Sequence, residues 1–304
     1  MHSKVTVIIV HFLLLGLQHT EASHWSYPDR DLDEVFPTWG GICDTGTRQS
    51  PIDLSVSKSL KGLYDDLEFD NFNDKQTGVS IVNNGHSIQL ANFSTEMELE
   101  GGPLLDKYVV EQIHLHWWSE HTINNVRYPL EAHIVARNKR YANVTQASNF
   151  KNGLTVLAVL YHASNKRNEA IDQIIDYLDD VKSFDKVDQP VRMTKPFVVR
   201  QLFPELNGYM TYAGSLTTPS CAEAVTWIVL SETFPVTLEQ VDNFKQIQCE
   251  EKQVLKNNYR DIQKSNSRAV VLVLSADDNR SNAANSLHIS LSVVFLVLSA
   301  AKFV

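Results

Sequence analysis

Between residues 79 and 274 the chain returns repeatedly to short apolar runs rich in β-branched residues, at 79–82, 87–90, 108–116, 132–136, 154–161, 224–230 and 269–274. This recurrence constrains the fold more than any other feature. Each run is too short for a typical helix, and branched side chains pack well on a pleated surface. Turn-forming residues separate many of them, including Asn84-Gly85, Gly101-Gly102-Pro103 and Asn152-Gly153. One segment differs. At 169–181 the apolar positions Ile171, Ile174, Ile175 and Leu178 fall at i, i+3, i+4 and i+7, which predicts a helix. No repeat or low-complexity linker divides residues 24–276. The expectation is one strand-rich domain with few helices and a site in a cleft of its central sheet.

The run at 108–116 carries His114 and His116, and His133 follows in Leu130-Glu-Ala-His-Ile-Val-Ala136. Alternate side chains on a strand share a face, so His114 and His116 project together while Leu115 points away. Asn124-Asn125 and Pro129 read as a connection that reverses the chain. Two antiparallel neighbours then aim three imidazoles at one point. Three neutral nitrogens with a fourth position open suit a catalytic zinc rather than a structural one. Gln112 shares the face of His114, and Glu131 that of His133. Ligating imidazoles give their outer N–H to such groups, which fixes tautomer and ring direction. A histidine in a strand is more often a core residue. A core holding three unpartnered histidines and a glutamate would be costly, however, and a metal site with its supporting partners accounts for all five.

The net charge of -9, with no basic block, argues against nucleic acid or an anionic membrane as a partner through charge. Met1-His-Ser-Lys4 leads into an apolar run at 5–17, and Thr20-Glu-Ala22 supplies small residues for cleavage near Ala22/Ser23. Residues 1–22 therefore read as a secretory signal peptide, too short for a membrane span. The end of the chain is apolar again at 287–301, after a small, polar stretch at 279–286. That order fits a glycosylphosphatidylinositol attachment signal at 277–304, its tail removed and its attachment residue within 279–285. The rival is a C-terminal span. His288 and several serines within the tail, and the lack of a basic stop, favour the lipid anchor. Of Cys43, Cys221 and Cys249, two should pair in an oxidising compartment, and spacing does not choose which. Glycosylation sequons begin at Asn92, Asn143 and Asn279.

Taken in order, Arg48-Gln-Ser-Pro-Ile52, Asn83-Asn-Gly-His86, Gln112-Ile-His-Leu-His116, Ser119-Glu-His-Thr122, Glu131-Ala-His133 and Gly214-Ser-Leu-Thr-Thr-Pro219, followed by Val225-Thr-Trp-Ile-Val229, resemble the α-class carbonic anhydrases, from about residue 25 to 274. The resemblance implies a mainly β (α+β) single domain over 24–276. Its core would be a large twisted, mostly antiparallel sheet of about ten strands with short peripheral helices. It implies reversible hydration of carbon dioxide to bicarbonate and a proton at the cell surface, with zinc hydroxide as nucleophile. Sulfonamides and small anions would be inhibitors.

Carried over by position, the zinc ligands are His114, His116 and His133. Thr217 accepts a hydrogen bond from the nucleophile, and Glu120 accepts from Thr217. Val135, Val156, Leu216 and Trp227 form the apolar wall where the substrate rests, with Thr217 and Thr218 beside it. His86 is the proton shuttle, since a group with an ordinary pKa near 6.5 takes and releases protons at neutral pH. Tyr27, Asn84, Gln89 and Thr218 match the water-ordering side of the cleft. Strict alternation puts His86 and Gln89 on opposite faces, so a bend or bulge is expected if both line it. The resemblance also pairs Cys43 with Cys221 and leaves Cys249 without a role. The chain departs from the pattern in three places. It is several residues shorter between His116 and Glu120, Trp118 stands where glycine is usual, and Ser220 replaces a common second proline. Two other readings compete: a catalytically silent carbonic-anhydrase-like domain for adhesion or binding, and a general metallohydrolase. Silent domains typically lose a zinc histidine, and this chain keeps all three. No HExxH helix motif is present.

Overall fold

The apolar runs all become strands, because alternation gives each one a face to bury. The computed structural model describes residues 25–28 and 38–274. The expected signal peptide, the anchor signal and Asn279 lie outside the described residues. Thirteen strands form one mixed sheet: β1 (Leu60–Lys61), β2 (Leu67–Asp70), β3 (Ser80–Asn83), β4 (Ile88–Ala91), β5 (Glu98–Gly101), β6 (Tyr108–Trp117), β7 (Leu130–Asn138), β8 (Leu154–Ala163), β9 (Val191–Arg192), β10 (Gly208–Gly214), β11 (Val225–Leu230), β12 (Phe234–Val236) and β13 (Val271–Leu274). Ten of them run β9-β3-β4-β6-β7-β8-β11-β10-β13-β1 across an open sheet. The other three attach at its flanks, β2 through β5 to β6, and β12 to β8. This is the expected ten-strand path with three short additions. Pairing is antiparallel except at β8–β11, β8–β12 and β13–β1.

One face carries the larger core. Ile113, Leu115, Ile134, Leu157 and Ile228 on that face pack with Ile171, Ile174, Val241 and Phe244 from the helices Glu169–Ile175 and Leu238–Phe244. Residues of opposite parity, among them Val135, Val156, Ala158, Trp227 and Val229, form a second apolar cluster on the reverse face. Apolar residues on both sides explain why these strands read as near-continuous hydrophobic runs.

Five short helices occur among the described residues. The expected single helix over 169–181 is two, Glu169–Ile175 and Leu178–Val181. Tyr177 interrupts it with φ -110° and ψ -1°. Its hydroxyl accepts hydrogen bonds from the N–H groups of Thr194 (2.9 Å) and Lys195 (3.0 Å). That tether draws the residue out of line, and periodicity carries no record of a tertiary tether.

The reversal between β6 and β7 is a small hairpin, Thr122–Ile123 with Val126–Arg127. Asn124 and Asn125 take φ of 50° and 63°, the conformation a two-residue hairpin turn requires and asparagine tolerates. Trp118 has φ 42°, which explains why glycine is usual there. The residue is 42% exposed, and Lys245 Nζ lies 5.9 Å from the centroid of its ring.

Candidate metal centre

Register alone assembles the centre. On β6 and β7 His114 stands opposite His133, and Glu131 opposite His116. Gln89 on β4 stands opposite His114. In the adjoining row Gln112, Val135, Val156 and Trp227 follow one another across β6, β7, β8 and β11. Cross-strand partners share a face, so these rows place three imidazoles beside an apolar wall. Val135, Val156 and Trp227 are almost fully buried, and Leu216 packs against the same cluster. The Trp227 ring is centred 4.9 Å from that of His133.

Candidate ligand atoms of His114, His116 and His133 lie within 4.8 Å of one another. The outer nitrogens decide the tautomers. His114 Nδ1 donates to Gln112 Oε1 (2.8 Å), His116 Nδ1 to the main-chain oxygen of Asn258 (2.6 Å), and His133 Nε2 to Glu131 Oε1 (2.7 Å). Each acceptor takes the ring's single proton and leaves the other nitrogen as a lone pair. His133 Nδ1 and His114 Nε2 are 3.2 Å apart, and His116 Nε2 is buried with no hydrogen-bond partner. Three converging lone pairs repel one another unless a cation sits among them. A set of three neutral imidazoles suits zinc or a similar transition metal. Burial first, then repulsion from the neighbouring imidazoles, holds His114 well below the usual histidine range. Burial likewise lowers His116. Both causes keep the rings neutral, as ligands must be.

Gln112 and Glu131, expected to support the histidines, hydrogen-bond His114 and His133. Asn258, which supports His116, and His121 were given no role. Glu131 accepts from His121 twice, at the main-chain N–H (2.8 Å) and at Nδ1 (2.7 Å), as well as from His133. Burial alone would raise this carboxyl, but attraction and hydrogen bonds from His121 and His133 prevail and hold it well below the carboxylate range. His121 Nε2 shares a 2.7 Å hydrogen bond with the Tyr212 hydroxyl, which lies 2.9 Å from Ser50 Oγ. His121, Glu131 and His133 also cluster, but hydrogen bonds among them occupy the nitrogens that would bind an ion there. His121 stands in the Ser119-Glu-His-Thr122 motif, which was the available signal. Asn258 acts through a carbonyl 142 residues from His116, and no pattern announces that.

Glu120 and Thr217 are both buried, and no hydrogen bond joins them. Glu120 Oε1 accepts from the N–H of Arg260 (2.9 Å), while Oε2 is buried without a hydrogen-bond partner, 3.5 Å from His116 Nε2. Arg260, itself buried, also reaches Gln49 Oε1, Ser50 O and Cys43 O. The Thr217 loop is pinned at both ends. Ser50 and Ser215 exchange main-chain-to-hydroxyl hydrogen bonds, Leu216 N–H donates to Ala222 O, and Cys43 is bonded to Cys221 across 178 residues. Thr218 is half-buried, its carbonyl accepting from the Cys221 N–H.

His86 lies in the turn between β3 and β4 rather than on a strand, so alternation does not apply to it and no bulge separates it from Gln89. Asn84 Oδ1 accepts from the N–H groups of His86 and Ser87, and Asn84 Nδ2 donates to Gln89 Oε1 (3.4 Å). The His86 ring stacks on Trp25, centroids 3.7 Å apart and planes 12° apart, with Tyr27 edge-on at 6.5 Å. Asn92 and Asn143 are exposed.

A large open sheet sets three inward-facing histidines, a group that could hold a metal ion, beside a buried apolar wall. The chain belongs to the eukaryotic-type carbonic anhydrases, whose family model matches residues 35–273. It is 32% identical to carbonic anhydrase 6 of Homo sapiens over 88% of this chain and 89% of that one. It is 30% identical to carbonic anhydrase 6 of Bos taurus, covering 87% and 84%, and 32% identical to that of Mus musculus, covering 88% and 86%. Membership supports carbon dioxide hydration as the general function. Among the described residues no helix is long and apolar enough to cross a membrane.

Proposed function

We propose that this chain is a zinc-dependent carbonic anhydrase of the lyase class that interconverts carbon dioxide and bicarbonate outside the cell, held to the membrane by a C-terminal lipid anchor. The observation that carries the reading is the convergence of three lone pairs, each aimed by its own acceptor. His114 and His116 through Nε2 and His133 through Nδ1 would hold the ion. Bound zinc supplies Lewis acidity, making water acidic enough to act as a nucleophile near neutral pH, a property established for carbonic anhydrases generally.

The chain's own residues do the rest. Val135, Val156, Leu216 and Trp227 offer carbon dioxide a wall without hydrogen bonds, which suits a substrate with no charge and no proton to give. Thr217 would orient the attacking oxygen by accepting its hydrogen bond, its own hydroxyl turning to donate to Glu120, a bond that forms only in the working site. The unpartnered Glu120 Oε2 supports that assignment, since it lacks a donor. Each turnover leaves one proton to export. His86, with Tyr27, Asn84, Gln89 and Thr218 ordering water near it, passes that proton to buffer. Sulfonamides and small anions would compete at the centre. The retention and convergence of all three histidines favour this reading over a silent binding domain.

Stopped-flow carbon dioxide hydration with metal analysis tests the proposal. The purified protein should hydrate carbon dioxide with one zinc per chain, and His133→Ala should lose both. Full activity in the variant would remove His133 from the ligand set. Phosphatidylinositol-specific phospholipase should release the protein from cells. Surface protein that resists release and retains 290–304 in its peptide map would be anchored by a span instead.

A further inference from the structure

Between Val254 and Val271 the chain forms neither helix nor strand, yet it supplies the metal centre with two main-chain groups. Asn258 O accepts from His116 Nδ1 at 2.6 Å, and two residues on, the Arg260 N–H donates to Glu120 Oε1 at 2.9 Å. A segment without a ladder of its own depends on its side chains to fix such groups in place. Asn258 grips locally. Its side chain accepts from the Trp117 N–H (2.8 Å) and donates to His86 O (3.0 Å) and Leu115 O (2.9 Å). Arg260 grips a distant segment. It is 2% exposed, and its guanidinium donates to Gln49 Oε1 (2.9 Å), Ser50 O (2.8 Å) and Cys43 O (2.6 Å), with the Trp39 ring centred 5.3 Å away. All three acceptors are neutral. Burying a cation is costly even when its protons find partners, so a residue serving only to fill this space would be apolar. What arginine alone supplies is a rigid fork that meets several oxygens of one segment at once and so fixes its own backbone.

We propose that Arg260 is a positioning residue for the hydration step: its guanidinium, held by the 43–50 segment, fixes the main-chain N–H that occupies Glu120 Oε1 and leaves Oε2 as the oxygen that accepts from Thr217. This deepens the roles proposed above for Thr217 and Glu120 and rests on them. Oε2 is the buried oxygen without a hydrogen-bond partner, and its neighbour His116 Nε2, 3.5 Å away, is a lone pair in the tautomer that Asn258 selects. A carboxylate with both oxygens free can turn, and the threonine hydroxyl then has no fixed acceptor. Its own lone pair no longer holds the attacking oxygen in line, and displacements on the order of 1 Å are enough to slow such a step. The same 43–50 segment carries Cys43, bonded to Cys221 just beyond Thr217. One segment thus braces both members of the pair, the threonine through the disulfide and the glutamate through Arg260.

The test is a double-mutant cycle in the zinc-loaded full chain. Arg260→Gln and Arg260→Lys should each lower kcat/KM roughly tenfold, short of the roughly 100–1,000-fold that losing a direct, preorganised hydrogen-bonding partner costs. Lysine keeps the charge without the fork, so it should not rescue. In weak buffer kcat, limited by proton export, should fall less than kcat/KM. Zinc content should hold at one per chain, because Asn258 keeps its own grips. In a Thr217→Ala background the same substitutions should change kcat/KM less than about twofold, since the group they position has no donor left to receive. An undiminished Arg260 effect in that background, or full rescue by lysine, would overturn the inference and leave Arg260 a stabilising residue. Unchanged kcat/KM in Thr217→Ala alone would instead refute the threonine reading on which the inference rests. If both Arg260 variants fail to fold, nitrogen NMR of the parent decides. The Arg260 guanidinium protons should be resolved and slow to exchange, and its main-chain amide should shift in Thr217→Ala. A guanidinium averaged with water, or an amide that does not move, would overturn the inference.

Discussion

Replacing Glu131 by glutamine keeps its shape and removes one of its two acceptor oxygens, and the structure leaves the amide no good orientation. With the NH₂ at the Oε1 position it faces His121 Nδ1 and His133 Nε2, which both donate there now. Both rings must then change tautomer, and the His133 proton moves to Nδ1, the nitrogen directed at the metal. With the NH₂ at the Oε2 position it opposes the His121 main-chain N–H, which has no alternative tautomer. A buried donor left unpaired in this way costs about 1–3 kcal/mol. Either orientation penalises the metal-ready state, so Glu131→Gln should weaken zinc binding roughly 10–100-fold, the usual range when a ligand's supporting partner is lost. Competition against a fluorescent chelator measures the affinity, and nitrogen NMR of the histidine rings reads the tautomer. Unchanged affinity together with an unchanged His133 tautomer would refute the argument that the acceptor sets the ligand nitrogen.

His86→Ala should leave kcat/KM nearly unchanged and lower kcat in weak buffer, with imidazole restoring it; a kcat indifferent to both would make His86 a surface residue. Cys43→Ala/Cys221→Ala should lose roughly 2–5 kcal/mol of unfolding free energy, because a bond across 178 residues restricts the unfolded chain strongly. Urea denaturation checks this, and an unchanged midpoint would contradict it. Burial pushes the Glu223 carboxyl up, but hydrogen bonds from the Arg48 N–H and Gln49, and the Arg48 charge, prevail and lower it. A depressed folded pKa stabilises above the ordinary carboxylate range, and that contribution is lost as pH falls through the folded value. Thermal unfolding should therefore separate the parent from Glu223→Gln at neutral pH and bring them together in acid; a constant difference would argue against the ion pair.

Strand positions and the shared strand faces of His114, His116 and Gln112, and of His133 and Glu131, were legible in the chain, while the apolar row beside them was expected from the resemblance. Each depends on the two-residue period of a strand or on an ordered set of motifs, and both are local properties that survive without a fold. The one helix read from periodicity was located correctly and given one element too few, because the tether at Tyr177 is tertiary. The choice of Cys43 and Cys221 came from resemblance, since spacing cannot specify which of three thiols meet. Tertiary structure decided what no period encodes. It set Asn258 O against His116, placed His121 on the far side of Glu131, and ran Arg260 beneath Glu120. Several of these contacts use main-chain groups, or side chains of residues that other positions share, so the sequence carries no mark of them. The sequence by itself determined which faces could carry the chemistry and, through Gln112 and Glu131 two residues away on the same strands, which ring nitrogen of His114 and of His133 is left free; for His116 only the packing of the distant Asn258 carbonyl decided it.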